Sequence, residues 1–258
     1  MTGTPEGGHR ALRTARANGL HRPIVQIAGV ANDAEARMLL ECGVDWLGFP
    51  LRLPVHREDL TDREAAAVIR NAKLRDRGVL ITYLDQADDI VTLCRRLGLV
   101  RVQLHGNIQP EEIDRLRQQM PEAFVMKSLV IRPDNTKALK TLTRQFASRV
   151  DAFITDTFDP ATGASGATGK THDWNVSREL VELSPKPVIL AGGLTPHNVA
   201  KAIQTAQPAG VDAHTGVEDA EGRKNPRMVE RFVAEARHAF ARMPVIRQAR
   251  NKAKDGRL

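Results

Sequence analysis

No run in this chain comes near the ~20 consecutive apolar residues that a membrane helix needs, so a membrane partner is not expected. The first residues are polar and lack the apolar core of a secretory signal. Cysteine is almost missing: Cys42 and Cys94 are the two, and their spacing fits neither a metal site nor a disulfide framework. A reducing cytoplasm is the expected setting, and no metal enters the reading. The first apolar run is not followed by G-x-G-x-x-G, which removes the main argument for a dinucleotide-binding open sheet. No nucleic-acid-binding motif stands behind the net charge of +7. Much of the basic excess sits at the ends: Arg10, Arg13, Arg16 and Arg22 precede the first strand, and Arg247, Arg250, Lys252, Lys254 and Arg257 follow the last helix. Solvated tails explain them without a nucleic-acid partner; a basic field steering an anionic substrate is the second reading.

What is present suits one soluble α/β domain with a large core: 258 residues, 41% hydrophobic and 27% charged. The expected layout is an extension over 1–22, a folded unit over 23–243 and a basic tail over 244–258. Short apolar runs predict strands at 24–28, 44–50, 78–84, 100–104, 124–129, 152–155, 188–191 and 210–213. Helical patterns fall between them, at 32–42, 62–72, 87–97, 110–119, 135–146 and 177–183, with a final helix at 226–242. Thr61 with Glu64 has the spacing of a capping box, and Thr195 before Pro196 reads as the cap and first residue of a seventh helix. Eight alternations in this length predict parallel strands with right-handed crossovers, closed into a (β/α)₈ TIM barrel. In such a barrel the chemistry belongs at the carboxyl ends of the strands.

Those ends carry three glycine-rich turns. Gly192-Gly193 follows the seventh apolar run, Thr215-Gly216 the eighth, and 163–169 reads Gly-Ala-Ser-Gly-Ala-Thr-Gly before Lys170. Backbone amides exposed in such turns, with the Thr215 hydroxyl and Lys170, suit a phosphate. Asp156 closes an apolar strand, where a carboxyl group can exchange a proton with a sugar. Arg57, in the loop after the second strand, has the fork to bind a carboxylate. His105 reads as a polar group of the barrel rim.

In combination these residues resemble the phosphoribosylanthranilate isomerase family. The stretches that carry the resemblance are Gly48-Phe49, Val102-Gln-Leu-His-Gly106, Gly166-Ala-Thr-Gly-Lys-Thr-His-Asp-Trp174, Leu190-Ala-Gly-Gly-Leu194, and Gly210-Val-Asp-Ala-His-Thr-Gly-Val-Glu218. The resemblance implies an Amadori rearrangement in tryptophan biosynthesis, without a cofactor, on a phosphorylated small molecule, by a monomer or homodimer. It implies Asp156 as general acid, substrate contacts from Arg57, Gln103, His105 and Asp212, and a phosphate held by Gly166, Gly192, Gly193, His214, Thr215 and Gly216. Pro50 and the basic 51–57 loop depart from the family's usual pattern, and two further positions bear on the chemistry. The first strand ends Gln26-Ile-Ala-Gly29, so Ala28 stands where the family has its general-base Cys, and His214 stands where the family usually has Ser. Among His214, His105 and Asp85, none is expected to reach the sugar C2 from its place in the sequence, so slow turnover is expected; a paralogue that binds a phosphorylated ligand is the alternative.

Overall fold

The computed structural model describes residues 20, 22–54, 58–158 and 169–243. Eight parallel strands close into a barrel in sequential order. They are β1 (Ile24–Ala28), β2 (Trp46–Leu51), β3 (Gly78–Thr82), β4 (Arg101–Leu104), β5 (Phe124–Ile131), β6 (Ala152–Thr157), β7 (Val188–Leu190) and β8 (Gly210–Ala213). The helices are α1 (Asp33–Glu41), α2 (Asp62–Asn71), α3 (Ala87–Leu97), α4 (Pro110–Gln119), α5 (Thr136–Phe146), α6 (Trp174–Leu183), α7 (Val199–Ala206) and α8 (Pro226–Ala241), with a short 3₁₀ turn at Thr215–Val217. Closure falls to β1 and β8, whose register runs from Ile24↔Gly210 to Ile27↔Ala213.

Strand alternation divides the core in two. On β1, Val25 and Ile27 face the helices, where they join Leu47, Phe49, Val125, Phe153 and Phe232 in the larger cluster. Ile24 and Ala28 face inward with Trp46, Ile81, Met126 and Ile154. At the amino-terminal end of the strands the Arg101 guanidinium lies 5.1 Å from the Trp46 ring centroid, and Trp46 meets Phe124 edge-on at 5.4 Å. That aromatic floor leaves the opposite end for chemistry.

Local rules account for the helix starts. Thr61 and Glu64 form the expected capping box on α2, and Asn225 caps α8 ahead of Pro226. Several boundaries differ from expectation. α7 begins at Val199, because Thr195 to Asn198 form a separate turn in which Asn198 Oδ1 accepts from the Thr195 N–H at 2.8 Å. α6 begins at Trp174, since the Asp173 carboxylate accepts from the Asn175 N–H. β5 and β6 run on together to Ile131↔Thr157, which places Asp156 within the strand. Arg22, expected in a solvated tail, reaches Asp45, which also binds Arg237 of α8 and accepts from the Val25 N–H. The other residues of the expected extension, Leu20 apart, and the whole expected basic tail lie outside the described residues. Among the described residues no helix is long and apolar enough to cross a membrane.

Phe153 is fully buried between sheet and helices. Phe153→Ala is expected to cost about 3–5 kcal/mol, read as a lowered urea midpoint with an unchanged denaturant slope.

Candidate active site

The carboxyl ends of the strands surround a cavity of about 320 Å³. A buried file of polar side chains crosses the barrel beneath it. Gln26 Nε2 on β1 donates to Gln103 Oε1 on β4 at 3.3 Å, and Gln103 Nε2 donates to Ser128 Oγ on β5 at 3.2 Å. Ser128 Oγ lies 2.7 Å from His105 Nδ1. Ser128 thus links the Gln103 amide to the His105 ring, and the other ring nitrogen is Nε2. That nitrogen faces Asp156 Oδ2 at 3.8 Å. Lys127 braces the turn that bears His105, donating to the carbonyls of Leu104 and Gly106 at 3.3 and 2.9 Å, and burial lowers its pKa to about 8.

Asp156 sits at the end of this file. Burial pushes its pKa up to about 7, against the pull of the Thr157 N–H, which donates to Oδ1 at 2.8 Å. Asp212 of β8 lines the same cavity. Its pKa is raised well above the carboxylate range, first by burial and then by the Asp156 charge, while a hydrogen bond from Gln26 and the Lys224 charge act the other way. Its Oδ1 is buried without a hydrogen-bond partner among the described residues. Tyr83, just beyond β3, packs edge-on against His105 with ring centroids 4.7 Å apart, and burial with the Asp156 charge raises its phenol pKa. Two largely buried carboxyl groups in one mouth favour a proton on at least one of them near neutrality.

The other side of the cavity is backbone. Gly192 and Gly193 have φ of +99° and +62°, which L side chains rarely adopt. A Cβ on Gly192 would lie 2.2 Å from Thr157 Oγ1, and one on Gly193 would lie 2.4 Å from the carbonyl carbon of Lys170. The turn after β8 presses on the same place, for a Cβ on Gly216 would lie 1.9 Å from the Leu194 carbonyl oxygen. Among the described residues nothing accepts from the N–H groups of Gly192 or Gly193. His172 ties this wall together, with Nδ1 2.8 Å from Thr157 Oγ1 and Nε2 2.6 Å from Ser177 Oγ, and burial lowers its pKa to about 4.

The rim between these two sides is the end of β1. Ala28 lines the cavity and has no proton acceptor of its own. An imidazole nevertheless lies beside this place. The β1–β8 register, continued one residue beyond Ile27↔Ala213, sets His214 beside Ala28. Its ring packs on Gly29, where a Cβ would lie 2.2 Å from Nε2. Glu218 Oε1 lies 3.6 Å from the same nitrogen and is itself paired with the buried Lys224.

Of the residues singled out from sequence, Ala28, Gln103, His105, Asp156, Gly192, Gly193, Asp212, His214, Thr215 and Gly216 line this one cavity. Arg57 and Gly166 lie outside the described residues. Asp85 is exposed and hydrogen-bonded by Gln86, away from the lining. Sequence reasoning missed Tyr83, the His172 clamp and the Glu218–Lys224 pair, and it placed Ser128 at a strand end without assigning it a partner. Tyr83 was within reach, since it lies two residues past the inward-facing Ile81 and so shares its side of the strand.

The family model described as N-(5'phosphoribosyl)anthranilate (PRA) isomerase matches residues 25–235. N-(5'-phosphoribosyl)anthranilate isomerase 2 of Methanosarcina mazei is 38% identical over 218 residues, covering 84% of this chain and 95% of its own. The isomerase of Haloferax volcanii is 36% identical over 216 residues, 83% and 93% of the two chains. Among solved structures, the isomerase of Pyrococcus furiosus superposes with a TM-score of 0.69 at 27% identity, over 84% of this chain and all of that one. With strand order, cavity and sequence in agreement, the chain belongs to the N-(5'-phosphoribosyl)anthranilate isomerase family.

Proposed function

We propose that the protein converts N-(5'-phosphoribosyl)anthranilate into the corresponding 1-amino-2-ketose, the Amadori step of tryptophan biosynthesis. The observation that carries this reading is Asp156, a carboxyl group whose pKa of about 7 keeps a proton available, set across one cavity from a wall of unpaired glycine amides. In the reaction, Asp156 protonates the ribose ring oxygen as the C1–O bond breaks, and the nitrogen lone pair forms C=N⁺ with C1. Loss of the C2 proton gives an enaminol, which becomes the ketone as C1 takes up a proton and the C2 hydroxyl gives one up. What the protein must supply in each step is a proton donor or acceptor, a task within reach of side chains.

The phosphate is assigned to the N–H groups of Gly192 and Gly193 and to the Thr215–Gly216 turn, with Gly166 as a further donor. Arg57 is assigned to the anthranilate carboxylate. Gln103, His105 and Asp212 are assigned to the sugar, and the unpartnered Asp212 Oδ1 supports a hydroxyl contact there. A cytoplasmic setting fits two thiols that are both unpaired. A homodimer or a monomer is compatible with the barrel, to be decided by sedimentation.

Turnover of N-(5'-phosphoribosyl)anthranilate by the purified protein tests the reading; no conversion at millimolar substrate, in the wild type and in Ala28→Cys alike, would overturn it. Asp156→Asn is expected to lower kcat by about 10²–10⁴. In the wild type, kcat/KM should fall as pH rises through about 7, where the acid loses its proton. The folded-state pKa lies above the unfolded one, so stability drawn from this group is present below about pH 4 and lost as pH rises through about 7. Asp156→Asn should therefore exceed the wild type in Tm at pH 8, with the gap closing toward pH 4. Gly193→Val, forced against the Lys170 backbone, should raise KM for the phosphosugar at least tenfold, checked by initial rates and by competition with inorganic phosphate.

A further inference from the structure

We propose that His214 removes the C2 proton, taking the place of the thiol that this chain lacks at position 28. The proposal rests on the isomerase reading above. Three observations place the imidazole. Continued one residue past its last pair, Ile27↔Ala213, the strand register sets His214 next to Ala28. The ring lies against Gly29, in space that any side chain at that position would fill. Both Ala28 and His214 line the cavity that holds Asp156. A base on β8 at this level approaches the sugar from the side on which a longer side chain at position 28 would have stood, and Asp156 on β6 protonates the ring oxygen from another wall.

The surroundings of the ring suit a group that gains a proton in the reaction. Glu218 Oε1 lies 3.6 Å from Nε2 with little exposure, so its charge favours the imidazolium that forms when the C2 proton arrives. Lys224 binds the same carboxylate from the side of the fold, and the Lys224 N–H donates to Glu35 of α1 at 3.0 Å. Glu218 is thereby held from β8 and from the helix that follows β1. The step balances within the active site: the C2–H electron pair becomes the C1=C2 bond, the C=N⁺ pair returns to nitrogen, and the proton moves to the imidazole. His214 then leaves the set of phosphate donors, where the sequence alone had suggested it.

The test compares wild type, His214→Asn and His214→Ser, each alone and with Ala28→Cys; His214→Ser carries the residue usual in the family, so folding is retained. The expected result is a loss of about 10²–10⁴ in kcat for both His214 variants, with KM and the inhibition constant of inorganic phosphate changed less than about threefold, and recovery of kcat when Ala28→Cys is added. Glu218→Gln should lower kcat several-fold with KM unmoved; an unchanged kcat there would remove Glu218 from the proposal. Undiminished kcat in His214→Ser, or a loss confined to KM and phosphate affinity, would overturn the base role while leaving the isomerase reading in place. The base role falls equally if the wild type is inactive and Ala28→Cys is active. Inactivity of both would bring down the isomerase reading itself.

Discussion

Two largely buried carboxyl groups share one mouth of the barrel, and the cost of ionising both governs what surrounds them. Burial is the main reason that Asp156 and Asp212 hold their protons more tightly than exposed carboxyls do, and the Asp156 charge adds to it at Asp212. The side chains beneath them are accordingly amides, a hydroxyl and an imidazole, linked to one another without a net charge. An apolar layer in their place would leave the His105 ring without its Ser128 partner, and charged residues there would compete with Asp156 for ionisation. The file from Gln26 to His105 thus orients the acid's neighbour and preserves the proton on the acid.

The glycine wall meets a different demand. An anion needs several donors aimed at one point, and donors on the backbone keep their aim only if the turns that carry them are locked. The turns after β6, β7 and β8 lock one another, since side-chain-free Cα atoms at Gly192, Gly193 and Gly216 let Thr157, Lys170 and Leu194 close in. His172 fastens the first of these turns to α6 from behind through Thr157 and Ser177.

The fold was legible because its signals are local. Thr61 and Glu64 announce α2 within four residues, and Pro110 marks the start of α4. Glycine turns at the ends of consecutive apolar runs likewise pointed to one binding wall. What escaped were relations between strands. Gln103 and Ser128 are unremarkable in their own segments, and only pairing of β4 with β5 brings them together. His214 is far from Ala28 along the chain, whereas barrel closure makes them neighbours. The start of α7 differs for a local reason: Thr195 and Asn198 satisfy each other's turn before the helix begins, a choice the Thr-Pro pair conceals.

Closure has a consequence for how the enzyme is born. The edge of β1 on the β8 side pairs only with residues from Gly210 onward. At the ~5–20 residues per second of ribosomal synthesis, β1 waits roughly ten to forty seconds for that partner. Until then one flank of an apolar strand is open to other nascent chains. Asp45, beside β2, holds the other flank of β1, and its two arginines come from opposite ends of the wait: Arg22 is made before β1, and Arg237 arrives with α8. The carboxylate can therefore hold the start of β1 from the outset and receive its second partner only once all eight strands have been made, so that the last helix is tied back to the first strand by a residue that waited for it.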